Sequence, residues 1–287
     1  RRGDRTAGAI HRREHAPPTM SDNLPDLVIP VRDTPDREPE SLRYVLRALA
    51  VPHRQIVIVG GRPPWLNTDT LLHLPTVQDG DPWHNVGVAL TTILADDRVG
   101  EDIVWLADDV HQMHPHSLPV LSARLRPLDT YVAQLGRGNG STYHRGYIDG
   151  VRAQRDMLRA WGYDTSALPN GCCHHPMPTT KTHLAATLDR IRAHDPKHPL
   201  GHFKAVHSAD LDPLVVRDCK LVDATSRIRP DWPWVSTSAT SWRGAAGQII
   251  QRRWREPSHF EITKPVLRAV TRNTTPPAPR RLTRRDA

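Results

Sequence analysis

Two stretches of the chain are continuously apolar and rich in β-branched residues: Asp26-Leu-Val-Ile-Pro30-Val31 and Gln55-Ile-Val-Ile-Val-Gly60-Gly61. Neither alternates polar with apolar positions, so each predicts a strand covered on both faces, as in a parallel sheet. Between them, Leu42, Val45, Leu46 and Leu49 recur at helical spacing behind Pro39 and predict an amphipathic helix over 39–49. Strand, helix and strand in quick succession make a βαβ unit. A third buried strand is predicted over 101–109, and it delivers Asp108 and Asp109 at its C-terminal end. Between the second and third strands, 71–77 is a weaker strand candidate, and 86–94 predicts a helix with Asn85 as its cap.

Further along, Ser141–Trp161 has a helical pattern, with Ser141 as cap and Gly162 as the stop. A loop rich in Pro and His spans Asn170–Pro178, and a second helix is expected at about 180–194. A strand over 214–222 and a helix over 244–255 complete the reading, which contains no internal repeat. The fold class expected is α/β: a mostly parallel Rossmann-type sheet flanked by helices, followed by a mixed α/β C-terminal portion. Residues 24–135 and 136–262 read as two halves of one domain.

Composition adds limits. At 287 residues with 38% hydrophobic positions, the chain can enclose a sizeable core. No run approaches the roughly 18 apolar residues of a membrane helix, so no membrane span is expected. Cys172, Cys173 and Cys219 cannot all pair internally, and a reducing cytoplasmic setting fits them best. The start of the chain lacks the apolar segment of a secretory signal, and Met20 is expected to be the natural start.

The net charge of +8 points toward nucleic acid until it is located. Residues 1–19 carry five arginines against Asp4 and Glu14, net +3, and residues 264–287 carry Lys264 and six arginines against Asp286, net +6. The intervening body is left at −1. Residues 1–23 and 263–287 are therefore read as disordered basic extensions, solvated ends or read-through sequence, and nucleic acid is not an expected partner except through them.

Several motifs are missing: the sequence has no G-x-S-x-G elbow, no Walker lysine loop and no G-x-G-x-x-G. Gly136-Arg-Gly138-Asn-Gly140 reads as a flexible loop, a candidate lid. Serine hydrolases, P-loop NTPases and dinucleotide dehydrogenases drop away. What remains is the acidic pair. Two adjacent carboxylates at a strand end repel unless a cation or a proton compensates them, so Asp108 and Asp109 are candidate ligands for Mg²⁺ or Mn²⁺ shared with a phosphate. Their plain alternative is a solvated turn. Arg32 after the first strand, and Arg43 and Arg47 on one helical face, are candidate phosphate donors or solvated flanks. His174 and His175 offer a general base or a surface pair. His111-Gln-Met-His114-Pro-His116 has no standard zinc spacing and reads as structural.

The ordered segments Leu27–Arg32, Glu40–Leu49, Ile56–Leu66 and Trp105–Val110 resemble the glycosyltransferase-like proteins of actinobacteriophages and their hosts. They are similar, more distantly, to Stealth-type sugar-phosphate transferases. The likeness continues through His174-His-Pro176-Met177, Trp234–Trp242 and Glu256–Glu261, and spans about residues 24–262. It implies a GT-A-like fold with the nucleotide-sugar site in 24–135 and the acceptor and catalytic part in 136–262. It further implies Mn²⁺ or Mg²⁺ on Asp108 and Asp109, a catalytic role for Asp109 and His174, and substrate contacts from Arg32, Arg43, Arg47, Trp65, Ser238 and Arg252. The implied reaction transfers a sugar or sugar phosphate to a glycan or protein acceptor. Ala107 and Ala239 depart from the pattern, which keeps open a degenerate protein that binds the nucleotide sugar without turnover. A metal-dependent nuclease or phosphoesterase would reuse the same acidic pair.

Overall fold

The computed structural model describes residues 24–33, 40–113, 127–135, 142–171, 176–209, 219–222, 228 and 234–262. The two basic extensions, the Gly136–Gly140 loop and Cys172–His175 lie outside these residues.

Strand β1 (Asp26–Val31), helix α1 (Glu40–Ala48) and strand β2 (Ile56–Gly60) form the expected βαβ unit. Strand β3 (Leu72–Leu74), helix α2 (Pro82–Ala95) and strand β4 (Asp102–Trp105) follow. With β6 (Met177–Thr180) they build a five-stranded sheet in the order β3-β2-β1-β4-β6. Neighbours among the first four strands pair in parallel, and β6 runs antiparallel to β4. The chain is therefore a mixed α/β protein with a mostly parallel, Rossmann-like sheet flanked by helices.

Alternation along the strands divides the core. Leu27 and Ile29 of β1 with Ile56 and Ile58 of β2 face Leu42, Val45 and Leu46 of α1. Val28, Val57, Val59, Ile103 and Trp105 point the other way. They pack on Leu90 and Ile93 of α2, on α4 (Thr142–Ala160), and on α5 (Lys181–His194). Because both faces are covered, no strand needs a polar side, which explains the continuous apolar runs.

Helix α3 (Leu128–Leu135) and helix α6 (Lys204–Ala209) pack beside α4. A second, three-stranded sheet has β8 (Trp234–Thr237) in the middle, antiparallel to β5 (Val110–Gln112) and parallel to β7 (Cys219–Val222). Helices α7 (Ala239–Arg243) and α8 (Ala245–Arg253) follow β8.

Several expectations change in detail. The helix expected at 86–94 begins at Pro82, and its cap is Asp81, whose carboxylate accepts the Trp83 N–H at 2.9 Å. Asn85 is instead buried inside the first turn, where its amide bonds both backbone groups of Asp79. Pro at N1 makes the earlier start favourable. The strand expected at 71–77 is confined to 72–74. The helix expected over 244–255 is α8 alone, with Gly244 separating it from α7. Gly162, at φ +85°, ends the chain's longest described helix as anticipated.

Candidate functional site

The chain goes from β1 through α1 to β2 and β3 on one side, then lays β4 on the other side of β1. The strand order thus reverses between β1 and β4. In open α/β sheets, ligands bind outside the carboxyl ends of strands at such a point. Arg32 and Asp33 follow β1 there. Leu106, Ala107, Asp108 and Asp109 follow β4, with the Leu106 N–H still bonded to the Val28 carbonyl at 2.8 Å. The acidic pair forms a half-buried turn, closed by the Val110 N–H to the Ala107 carbonyl at 3.2 Å. Arg32 is exposed.

Gln78, from the loop between β3 and α2, braces the end of β1. Its amide donates to the Val31 carbonyl at 2.8 Å, and its Oε1 accepts the Asp33 N–H at 2.7 Å. These two bonds fix the backbone on both sides of Arg32. The brace needs Gly60. At φ +110° that residue occupies a conformation a side chain rarely adopts, and a Cβ there would lie 2.3 Å from both the Gln78 amide nitrogen and the Val31 carbonyl oxygen. Nothing in the sequence marks Gln78, because a polar residue in a loop is the commonest of observations.

The second sheet holds the other side of the acidic turn. The Thr237 N–H at the end of β8 donates to the Asp109 carbonyl at 3.0 Å. The next residue, Ser238, caps α7 through a reciprocal pair with Ser241. Ser238 is thereby placed next to the residue that bonds Asp109. His111, two positions beyond Asp109, is fully buried and stacks on Trp242 at 5.5 Å. Burial pushes its pKa down to about 4, against the pull of Asp109. The ring is neutral at pH 7 and lends no positive charge to the acidic turn.

Arg43, Arg47 and Trp65 gather elsewhere, on α1 and the segment after β2. Arg47 donates to both oxygens of Glu261 at 2.6 Å and to the carbonyls of Trp254 and Arg255. Arg43 lies 3.7 Å from the same carboxylate, with its guanidinium 4.6 Å above the Trp65 ring. Arg47 and Trp65, both expected at the substrate, are taken up in this packed cluster, and Trp65 keeps only 6% of its surface exposed. Glu261 is pulled upward by burial, but the Arg47 hydrogen bond and the Ser258 N–H outweigh it and hold its carboxyl below the ordinary range. Its partner Arg47 is raised, chiefly by the same hydrogen bond.

Arg252 lies apart from both groups, exposed on α8 beside Gln248, Gln251 and Arg255. His174 falls outside the described residues. Met177, three positions after it, pairs with Trp105 at the end of β4, so β6 starts on the sheet edge that carries the acidic pair.

Among the described residues, no group of three or more His, Cys, Asp or Glu side chains is placed to hold a metal. Mg²⁺ sites usually combine one or two carboxylates with waters and substrate phosphates, so an acidic pair alone does not make a metal centre. No described helix is long and apolar enough to cross a membrane. No protein-family model matches the chain, and no curated protein matches it significantly.

Proposed function

We propose that this protein is a metal-dependent transferase of GT-A type, moving a sugar or sugar phosphate from a nucleotide-sugar donor to a glycan or protein acceptor. The observation that carries the reading is the position of Asp108 and Asp109. They lie in the turn after β4, past Leu106 and Ala107, at the reversal of strand order where the β1 end bears Arg32.

In this mechanism, Asp108 and Asp109 hold Mn²⁺ or Mg²⁺. The ion, when bound, supplies positive charge to the donor diphosphate. Arg32 adds guanidinium donors to the same phosphates from the braced end of β1. His174 accepts the proton of the acceptor hydroxyl, whose oxygen bonds to the transferred sugar carbon or phosphorus as the bond to the departing phosphate oxygen breaks. Ser238, beside the acidic turn, contacts the acceptor.

The test is a thermal-shift and turnover panel of UDP-, GDP-, ADP- and dTDP-sugars, with and without Mn²⁺, on wild type and Asp109→Ala. Metal-dependent stabilisation by one donor, absent in the variant, together with slow donor hydrolysis, is the expected result. Stabilisation without turnover would indicate the degenerate binding protein. No response to any donor would sink the transferase reading.

A further inference from the structure

His84, the third residue of α2, has its Nδ1 2.5 Å from a carboxylate oxygen of Asp79. An ionised carboxylate only accepts, so Nδ1 carries the ring proton and Nε2 is left as the basic nitrogen. That Nε2 bonds none of the described residues. Asp79 is itself held in place. Its other carboxylate oxygen accepts the Asp81 N–H at 2.8 Å, its own N–H donates to the Asn85 side-chain oxygen at 2.9 Å, and its carbonyl accepts the Asn85 amide at 2.8 Å. The Asp81 N–H first, and then His84, hold its carboxyl below the ordinary range, so it is ionised at neutral pH. Asn85 is buried, and Trp83 stacks on His202 at 4.1 Å and on Tyr147 at 5.6 Å, which fixes the turn that bears His84.

Stability does not account for this arrangement. Both side chains are more than half exposed, and an ion pair so open to water contributes little. Position suggests chemistry instead. Gln78, next to Asp79, bonds the backbone on both sides of Arg32, so the pair is tied to the carboxyl end of β1, the end of the sheet where the acidic turn lies. A base whose far nitrogen is held by a fixed carboxylate has the geometry of general-base catalysis.

We infer that His84, oriented by Asp79, is a general base toward water and gives the protein a second activity, hydrolysis of its bound nucleotide sugar when no acceptor is present. The inference rests on the nucleotide-sugar reading of the acidic turn. In the step, Nε2 takes one proton from water, and the water oxygen bonds to the sugar carbon or phosphorus that would otherwise be transferred. The bond from that atom to the departing phosphate oxygen breaks, and its electron pair leaves with the nucleotide. His84 ends as an imidazolium paired with Asp79, which acts as the positioning residue, and then returns its proton to solvent.

The experiment offers the full chain UDP-, GDP-, ADP- and dTDP-sugars with Mn²⁺ and no acceptor, and measures donor affinity by calorimetry and nucleotide release separately. Wild type is compared with His84→Gln, His84→Ala and Asp79→Asn, after circular dichroism shows that each is folded. His84→Gln should lower nucleotide release at least about 100-fold while donor affinity stays close to wild type. Asp79→Asn should lower release in the same sense, again at unchanged affinity. Added imidazole should restore part of the rate to His84→Ala, which a merely structural role would not produce. Donor binding with equal hydrolysis by wild type and His84→Gln would overturn the role of His84 and leave the donor reading standing, as would binding without hydrolysis by wild type. Absence of binding by every donor would overturn both.

Discussion

Arg47 and Glu261 stand 214 positions apart and meet in a two-bonded fork, Nε and Nη2 each 2.6 Å from a carboxylate oxygen. The pair does more than join two side chains. Glu261 also accepts the Ser258 N–H, and its neighbours Phe260 and Ile262 exchange backbone hydrogen bonds with Asn67 and Trp65. The last described residues are thereby fastened to α1 and to the segment after β2. Both side chains are more than nine-tenths buried. Removing one partner leaves the other charge desolvated, which typically costs about 3 to 5 kcal/mol. Glu261→Ala should show this loss in chemical denaturation with an unchanged m-value. Arg47→Met combined with Glu261→Leu should recover much of it, because neither charge then remains buried. Equal losses for the single and double variants would mean that the cost lies in losing the fork itself and not in a stranded charge.

The Gln78 brace predicts a different pattern. Gln78→Ala deletes both bonds around Arg32 but leaves water access to an exposed loop, so a stability loss of about 1 to 2 kcal/mol is expected. Under the proposed function the effect on donor affinity should be larger than on stability, since Arg32 loses its fixed backbone. Gly60→Ala should mimic it, because the added methyl group collides with the same amide. Isothermal titration with the responsive nucleotide sugar checks both. A variant that loses stability while keeping donor affinity would detach Gln78 from the site.

The parts visible in the sequence were those in which one physical signal dominates. The strands β1, β2 and β4 announce themselves because burial on both faces demands unbroken apolar runs. Helix α1 does so because Leu42, Val45 and Leu46 all face one side of the sheet. The start of α2 at Asp81-Pro82 was missed because Asn85 is plausible as a cap, whereas its amide is engaged with Asp79. Strands β5, β6 and β8 span only three or four residues, too few for a period to emerge. The expected strand over 101–109 is shorter, β4 ending at Trp105, and Asp108 and Asp109 lie in the turn beyond it. Gln78, Thr237 and the Arg47–Glu261 fork depend on approaches between distant segments, which no local pattern encodes.

The acidic turn should respond to metal before any donor is supplied. Mn²⁺ at about a hundredfold excess over its dissociation constant should stabilise the fold by about 2.7 kcal/mol, and Ca²⁺ or Mg²⁺ titrations would rank the site's preference. Asp108→Asn and Asp109→Asn should each abolish most of that gain, measured against the metal-free melting temperature of the same variant. An equal Mn²⁺ shift in the variants would place the ion elsewhere.

Two of the described buried histidines, His111 and His202, make the fold sensitive to acid. His111 is fully buried, and burial pushes it down to about 4. His202, stacked 4.1 Å from Trp83, is likewise lowered to about 4, by burial first and then by His198, with Asp81 pulling the other way. An unfolded histidine titrates near 6.5, so between about pH 6.5 and 4 the unfolded chain binds more protons than the folded one. The stability they confer is complete above about pH 7 and is lost as pH falls through that window, at most about 3 kcal/mol for each residue. Glu261 acts in the same direction but lower. Its carboxyl lies below the ordinary 4.5, so its contribution fades only as the pH drops past that value. Denaturation curves at a series of pH values should therefore slope already between 6.5 and 5, before the carboxylates matter. His202→Gln, which keeps a polar side chain against Trp83, should flatten that slope by about half. A profile level down to pH 5 would mean that both rings take up protons in the folded state, and the burial argument would fail for each.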